Sequence, residues 1–163
     1  MESDFEVDAI DLQLLDLLQT DASLTNQALA ERVHVSPPTC LRRVRRLQAA
    51  GLIERQVALL QPDRLAALQG HGLTAIVEVT LDRQGAEHLD AFQARAVQEA
   101  AVQQCWRVSP GPDFVLVVHM RDMPGYLALT QRLFSQDANV RNVKAFFATQ
   151  RAKFEPKLAI ALI

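Results

Sequence analysis

Over the first fifty positions apolar residues recur every three or four places, and from residue 73 onward they begin to alternate with polar ones. That change of period divides the chain into a helical part and a part dominated by strands. Ile10, Leu14, Leu17 and Leu18 share one helical face, with Asp8 and Asp11 placed as N-cap and third-residue acids. Thr25 sits where a second helix would be capped, and Leu24 and Leu29 are spaced as the hydrophobic staple around it. His34 and Val35 make a short connection. Ser36 then stands as the cap of a third helix, with Pro37 in the first helical position, where a missing N–H costs nothing. That helix runs to about Ala50, and Gly51 reads as its stop. Three helices joined by short turns predict a helix-turn-helix unit.

"GLIERQVALLQP" reads as a short strand, a wing, leading into a linker over 61–71 that ends near "QGHG". After it come a strand "LTAIVEVTL", a helix "GAEHLDAFQARAVQEAA" with Leu89, Phe92, Ala96 and Ala100 along one face, and strands "VQQCWRVS" and "FVLVVHM" around "PGPD". A second helix "PGYLALTQRLFSQ", with Pro124 near its start, a fourth strand "VRNVKAFFATQ" and a fifth "KLAIALI" complete the order. The predicted fold class is α+β: an N-terminal three-helix winged helix-turn-helix domain over 1–60, and a C-terminal ferredoxin-like βαββαβ sandwich over 72–163. With a core of its own, the second domain is expected to fold and self-associate without the first.

Charge sharpens this picture more than bulk composition does. With 49% hydrophobic and 22% charged residues the chain is an ordinary globular protein. Its formal charge of -2 conceals a strong asymmetry, since residues 1–35 hold eight acids and one arginine while 36–55 hold five arginines and one glutamate. No apolar run approaches the roughly 20 residues of a membrane span. The acidic start "MESDFEVDAID" lacks the pattern of a secretory signal, so the expected location is the cytoplasm, with no membrane partner. Cys40 and Cys105 lie far apart, and His71, His88 and His119 are scattered over loop, helix and strand. No metal site and no cofactor are expected from such spacing.

On a helical wheel Cys40, Val44 and Leu47 form the buried stripe of the third helix. Pro38, Thr39, Arg42, Arg45 and Arg46 fall on the opposite side, between about 140° and 260° from Cys40. Arg43 flanks the core, placed to pair with an acid of one of the first two helices. Short side chains at the helix start, Ser36, Pro38 and Thr39, allow close approach to base edges, and arginine offers a rigid fork for phosphate or guanine. The expected partner is double-stranded DNA.

These residues resemble the leucine-responsive/asparagine-activated regulator family (Lrp/AsnC), from about Val7 to Leu162. "VDAIDLQLLDLLQTD", "NQALAERVHVSPPTCLRRVRRLQAAGLI" and "LTAIVEVTLD" carry the similarity. The resemblance implies a transcription regulator whose C-terminal domains pair through their sheets into dimers, often assembled into octamers, with small amino acids bound between dimers as effectors. It places effector contacts at Ser109, Gly111, Asp113, Asp122 and Ala145. Three positions depart from the family pattern. His34 replaces a glycine in the turn, and the recognition-helix start reads Ser36-Pro37-Pro38-Thr39 in place of Ser-Pro-Thr-Pro. The family's Gly-Asp-Tyr-Asp loop is here Pro110-Gly111-Pro112-Asp113, with Ala145 where a hydroxyl is common. A type II turn over Ser109–Pro112 would lack two backbone donors, so the response to leucine is expected to be weak, absent or altered.

Trp106 and Phe114 flank that hairpin as packing residues, and Asp113 and Asp122 read as turn or ligand-orienting acids. The competing class is an enzyme, because some relatives of this architecture resemble siroheme decarboxylases and a fold does not fix a function. Such an enzyme has no need of the arginine face, which favours the regulator. A nucleoid-organising protein differs from a specific regulator mainly in its specificity ratio.

Overall fold

The computed structural model describes residues 6–70 and 72–161. The chain forms two compact units, one running to Leu59 and resuming at Lys153, the other Leu60–Ala152.

The first unit holds α1 (Ala9–Thr20), α2 (Asn26–Arg32) and α3 (Pro37–Ala49). Asp8 and Asp11 form the expected capping box: each carboxylate accepts the other's backbone N–H, at 3.0 and 3.2 Å. Thr25 Oγ1 accepts the Ala28 N–H and starts α2. Leu14, Leu18, Leu29, Ala30, Val33, Cys40 and Leu47 close the core between the helices. Two left-handed residues end α2 and α3 in the same way. His34 (φ 54°) and Gly51 (φ 73°) each let the next residue's N–H reach back to the helix, Val35 to Ala30 and Leu52 to Leu47. The histidine therefore keeps the turn that glycine usually makes.

Residues 54–60 form no strand, so the predicted wing strand is absent; the segment leaves Val57, Leu59 and Leu60 exposed and pairs with no neighbouring strand. The stretch predicted as linker contains a helix, α4 (Pro62–Gln69), with Pro62 again at a helix start. His71 lies outside the described residues. The C-terminal segment differs too. Residues 157–161 form no fifth strand; instead Leu158 pairs its backbone N–H and C=O with the Gln19 side-chain amide (2.9 and 2.8 Å). Lys157 Nζ meets Asp16 and Thr20 of α1 at 3.0 and 2.9 Å. Nothing in its short apolar run distinguishes a strand from a tail laid on a helix.

The second unit continues with β1 (Leu73–Leu81), α5 (Ala86–Ala96), β2 (Val102–Arg107), β3 (Phe114–Met120), α6 (Met123–Thr130) and β4 (Val140–Phe147). The four strands form one antiparallel sheet in the order β2-β3-β1-β4, the split βαβ arrangement. Ala75, Val77, Val79 and Leu81 alternate inward from β1 and meet Phe92 and Ala96 of α5. Ala100 is not on that face, because α5 ends at Ala96 and Ala100 is exposed beyond it. After α6 a π-helical turn, Gln131–Ser135, directs Leu133 and Phe134 together into the core. On the opposite side of the sheet, Phe146, Ile76 and Val117 lie in register across three strands, and Ile76 (45%), Trp106 (59%) and Phe146 (54%) are exposed.

Candidate nucleic-acid interface and effector region

The candidate DNA-reading surface is built on α3. Cys40 and Leu47 are fully buried and Val44 half-buried, which fixes the helix's phase as the wheel anticipates. Burial pushes the Cys40 thiol up, so it stays protonated and behaves as a small core residue. Asn26 Nδ2 donates to the Pro37 carbonyl at 2.8 Å and holds the start of α3 against the start of α2. Ser36 occupies the cap position, yet its hydroxyl bonds Thr39 Oγ1 at 2.8 Å and not a backbone N–H. Both hydroxyls therefore sit at the exposed end of the helix beside Pro38.

The arginines do not all stand free. Arg42 and Arg45 are exposed and form no ion pair among the described residues. Arg43 behaves as its core-flanking phase predicts: Nη1 donates to Asp8 at 2.7 Å and to Asp11 at 3.0 Å. Those carboxylates hold its guanidinium above its ordinary range, Asp8 first. The Asp8 carboxyl is in turn held below the usual range, chiefly by the Asp11 backbone N–H and then by Arg43. Arg46 is exposed as its phase predicts, but it is also ion-paired. Its Nη2 bonds Asp11 Oδ2, and Asp11 is completely buried. The wheel places Arg46 on the exposed side, but a long side chain can swing back along the helix flank to reach an anion. The pattern held a signal for this, since Asp11 lies three and seven residues before Leu14 and Leu18, on the apolar stripe itself.

Of the five expected effector residues, two acids make bonds within the chain. Asp113 Oδ2 accepts the Leu81 N–H at 2.7 Å and Gln84 Nε2 at 3.3 Å, so it braces the end of β1. Asp122 caps α6 by accepting the Gly125 N–H at 2.9 Å. These two acids stand at opposite ends of β3, whose length at ~3.3 Å per residue keeps them roughly 20 Å or more apart. Ala145 pairs with Val77 and faces the helix side of the sheet. Ser109 and Gly111 are exposed in the β2–β3 hairpin, where Gly111 takes φ 125°, away from the roughly +80° of a type II turn. The hairpin is closed instead by the Val108 N–H to the Asp113 carbonyl at 3.1 Å. A cavity of about 290 Å³ beside Arg95, Arg132, Gln136 and Asp137, and one of about 250 Å³ between Phe134 and Val143, include none of the five.

Among the described residues no group of three or more His, Cys, Asp or Glu is placed to hold a metal ion, and no helix is long and apolar enough to cross a membrane.

A compact trihelical unit with an arginine-bearing third helix, joined to an antiparallel sandwich, defines a helix-turn-helix regulator class. Residues 7–54 match a family described as winged helix-turn-helix DNA-binding, and residues 74–158 match the Lrp/AsnC ligand binding domain. The leucine-responsive regulatory protein of Rhizobium meliloti is 36% identical over 91% of this chain and 92% of its own. The DNA-binding transcriptional activator DecR of Escherichia coli is 32% identical over 94% and 99%. A transcriptional regulator of Neisseria meningitidis, solved as its L-Met complex, superposes with a TM-score of 0.80 at 27% identity, covering 94% of this chain and 97% of that one. The chain belongs to the Lrp/AsnC family of DNA-binding transcriptional regulators.

Proposed function

We propose that two copies of this chain bind one stretch of double-stranded DNA in the cytoplasm, each laying α3 in a major groove. The observation that carries this reading is the exposed pair Arg42 and Arg45, without an ion-pair partner among the described residues, beside Ser36, Pro38 and Thr39. Cations without an internal partner are free to displace counterions at phosphate, and short polar side chains at a helix start approach base edges. The second copy is supplied by the sheet, whose open face presents Ile76, Trp106 and Phe146. An apolar row of that kind on a small unit favours a self-complementary interface. Larger rings assembled from such dimers follow the family pattern.

The chain acts by binding and not by catalysis, in line with relatives named as regulators. An amino acid between dimers would modulate it, as the L-Met complex of the Neisseria regulator suggests. Recognition of leucine is weakened here. Pro110 and Pro112 remove two donors from the hairpin, Ala145 offers no hydroxyl, and one Asp113 oxygen already serves Leu81 and Gln84. Footprinting on selected genomic fragments tests the reading. Protection of paired half-sites about one helical turn apart, or a multiple of it, is expected. A lone half-site, or no protection on any fragment, refutes it, and uniform protection without preference would mark a nucleoid organiser.

A further inference from the structure

We infer that Asp11, a buried acid of α1 with no route to DNA, is a positioning residue for recognition: it withholds Arg46 from phosphate and so limits the sequence-independent part of DNA affinity. The inference rests on α3 being the DNA-binding helix.

Asp11 is completely buried, and both its oxygens are occupied. Oδ1 accepts Arg43 Nη1 at 3.0 Å, and Oδ2 accepts the Asp8 N–H at 3.2 Å together with Arg46 Nη2. Arg43 also has a second anion in Asp8, at 2.7 Å, and only 18% of its side chain is exposed. Arg46 differs, with 41% of its side chain exposed on the flank of the helix that carries Arg42 and Arg45. Its reach would let it meet a phosphate. To do so it must leave Asp11, and a completely buried carboxylate then keeps only Arg43 of its two cations, which is unfavourable. The ion pair therefore acts as a lock. It leaves two arginines for phosphate on a helix that carries four between residues 42 and 46.

Restricting phosphate contacts has a definite consequence. Each phosphate neutralised steepens the dependence of log K on log salt by about 0.9, whatever the sequence bound. A regulator with two free cations binds random DNA more weakly than one with three, so its specificity ratio is higher.

The test measures salt-dependent binding of the full chain to a mixed-sequence duplex and to a selected genomic fragment. Arg42→Gln should lower the slope by about one unit per helix, whereas Arg46→Gln should lower it far less. Asp11→Asn, which keeps the shape and a hydrogen-bond acceptor for the cap, should raise the slope by about one. Affinity for the mixed duplex would then fall about 3.5-fold more steeply over a fourfold rise in salt. Adding Arg46→Gln to Asp11→Asn should abolish that gain. If Asp11→Asn does not fold at the assay temperature, the comparison of Arg46→Gln with Arg42→Gln decides alone. Equal losses from those two substitutions overturn the inference, as does a folded Asp11→Asn protein with reduced thermal stability and an unchanged slope. If neither arginine substitution changes the slope, α3 does not face phosphate, and both the inference and the reading beneath it fall.

Discussion

In the helical unit seven buried apolar side chains surround one buried carboxylate; in the sheet unit fourteen side chains, all apolar or aromatic, form the core with no buried charge among the described residues. Phe92 anchors the larger core, 4.8 Å from Phe114 and 6.5 Å from Phe134 between ring centroids. Burial of apolar area is non-directional and rises with size, so the sheet unit can rely on it. The helical unit has less to bury. Its recognition helix is fixed by directional contacts instead: the Asp8–Asp11–Arg43–Arg46 cluster, the Asn26–Pro37 bond and two left-handed turns. Directional contacts set the rotation of a helix about its axis, which is what a DNA-reading surface needs.

The comparison is most directly broken in the sheet unit. Phe92→Ala removes the ring that touches two others and should destabilise that unit by about 3–5 kcal/mol. Hydrogen exchange resolved along the chain would report it, with protection lost across β1, β3 and α5. The amides of α1, α2 and α3 should keep most of their protection if the units are energetically separate. Equal loss in both units would show one cooperative core.

A smaller effect separates the units by pH. Three aspartates of the helical unit are held below their ordinary value of 3.8: Asp8 by the Asp11 N–H and Arg43, Asp16 chiefly by Lys157, and Asp21 chiefly by Ser23. In the sheet unit Glu99 is lowered, chiefly by Arg132, from 4.5. A carboxyl whose folded value lies below its unfolded one contributes its full stability above the unfolded value, and loses it as pH falls through the folded value. Between pH 7 and 5 neither unit should change. Below about pH 4 the helical unit should weaken more steeply, because three of its carboxyls are held below their ordinary values against one in the sheet unit. Exchange of α1 and α3 amides against β1 and β3 amides across that range is the measurement. Parallel loss in both units would mean that the ion pairs do not distinguish them.

How legible each unit was follows from the same contrast. Periodicity reports burial, so β1 and the phase of α3 around Cys40, Val44 and Leu47 could be read from the chain, while residue type at the helix starts marked the Asp8 and Thr25 caps. Arg43's inward pairing was also readable, from its position beside the stripe. Partner choice by long side chains is harder to read, because a guanidinium reaches far from its Cα: Arg46 is exposed, as its phase predicts, and still bonds the buried Asp11. The end of the chain failed for another reason. "KLAIALI" is a short apolar run like that of a buried strand, but Leu158 is held by the Gln19 side-chain amide, 139 residues earlier, which leaves no mark on the local pattern. Bonds made by loop acids inside the chain leave no local mark either: Asp113 accepts the Leu81 N–H and Asp122 the Gly125 N–H, at opposite ends of β3.

The smallest expected effect sharpens the claim that turns, and not only burial, fix α3. His34 holds φ 54° between α2 and α3, where an L-residue pays roughly 1–2 kcal/mol for the left-handed conformation. His34→Gly removes that strain, but glycine has more freedom in the unfolded chain and gives back roughly 0.5–1 kcal/mol. The His34 side chain is exposed and makes no hydrogen bond or ion pair among the described residues, so no contact is lost to offset the gain. The difference favours the variant by about 0.5 kcal/mol, a rise of about 2–4 °C in the melting of a unit this small. The bonds from Val35 to Ala30 and from His34 to Glu31, at 3.0 and 3.4 Å, are backbone bonds and survive the change. A differential scanning measurement on the full chain, read at the transition of the helical unit, checks the sign. A lower melting temperature would mean that the histidine ring contributes to the turn by packing, and that the left-handed cost at this position has already been relaxed by its neighbours.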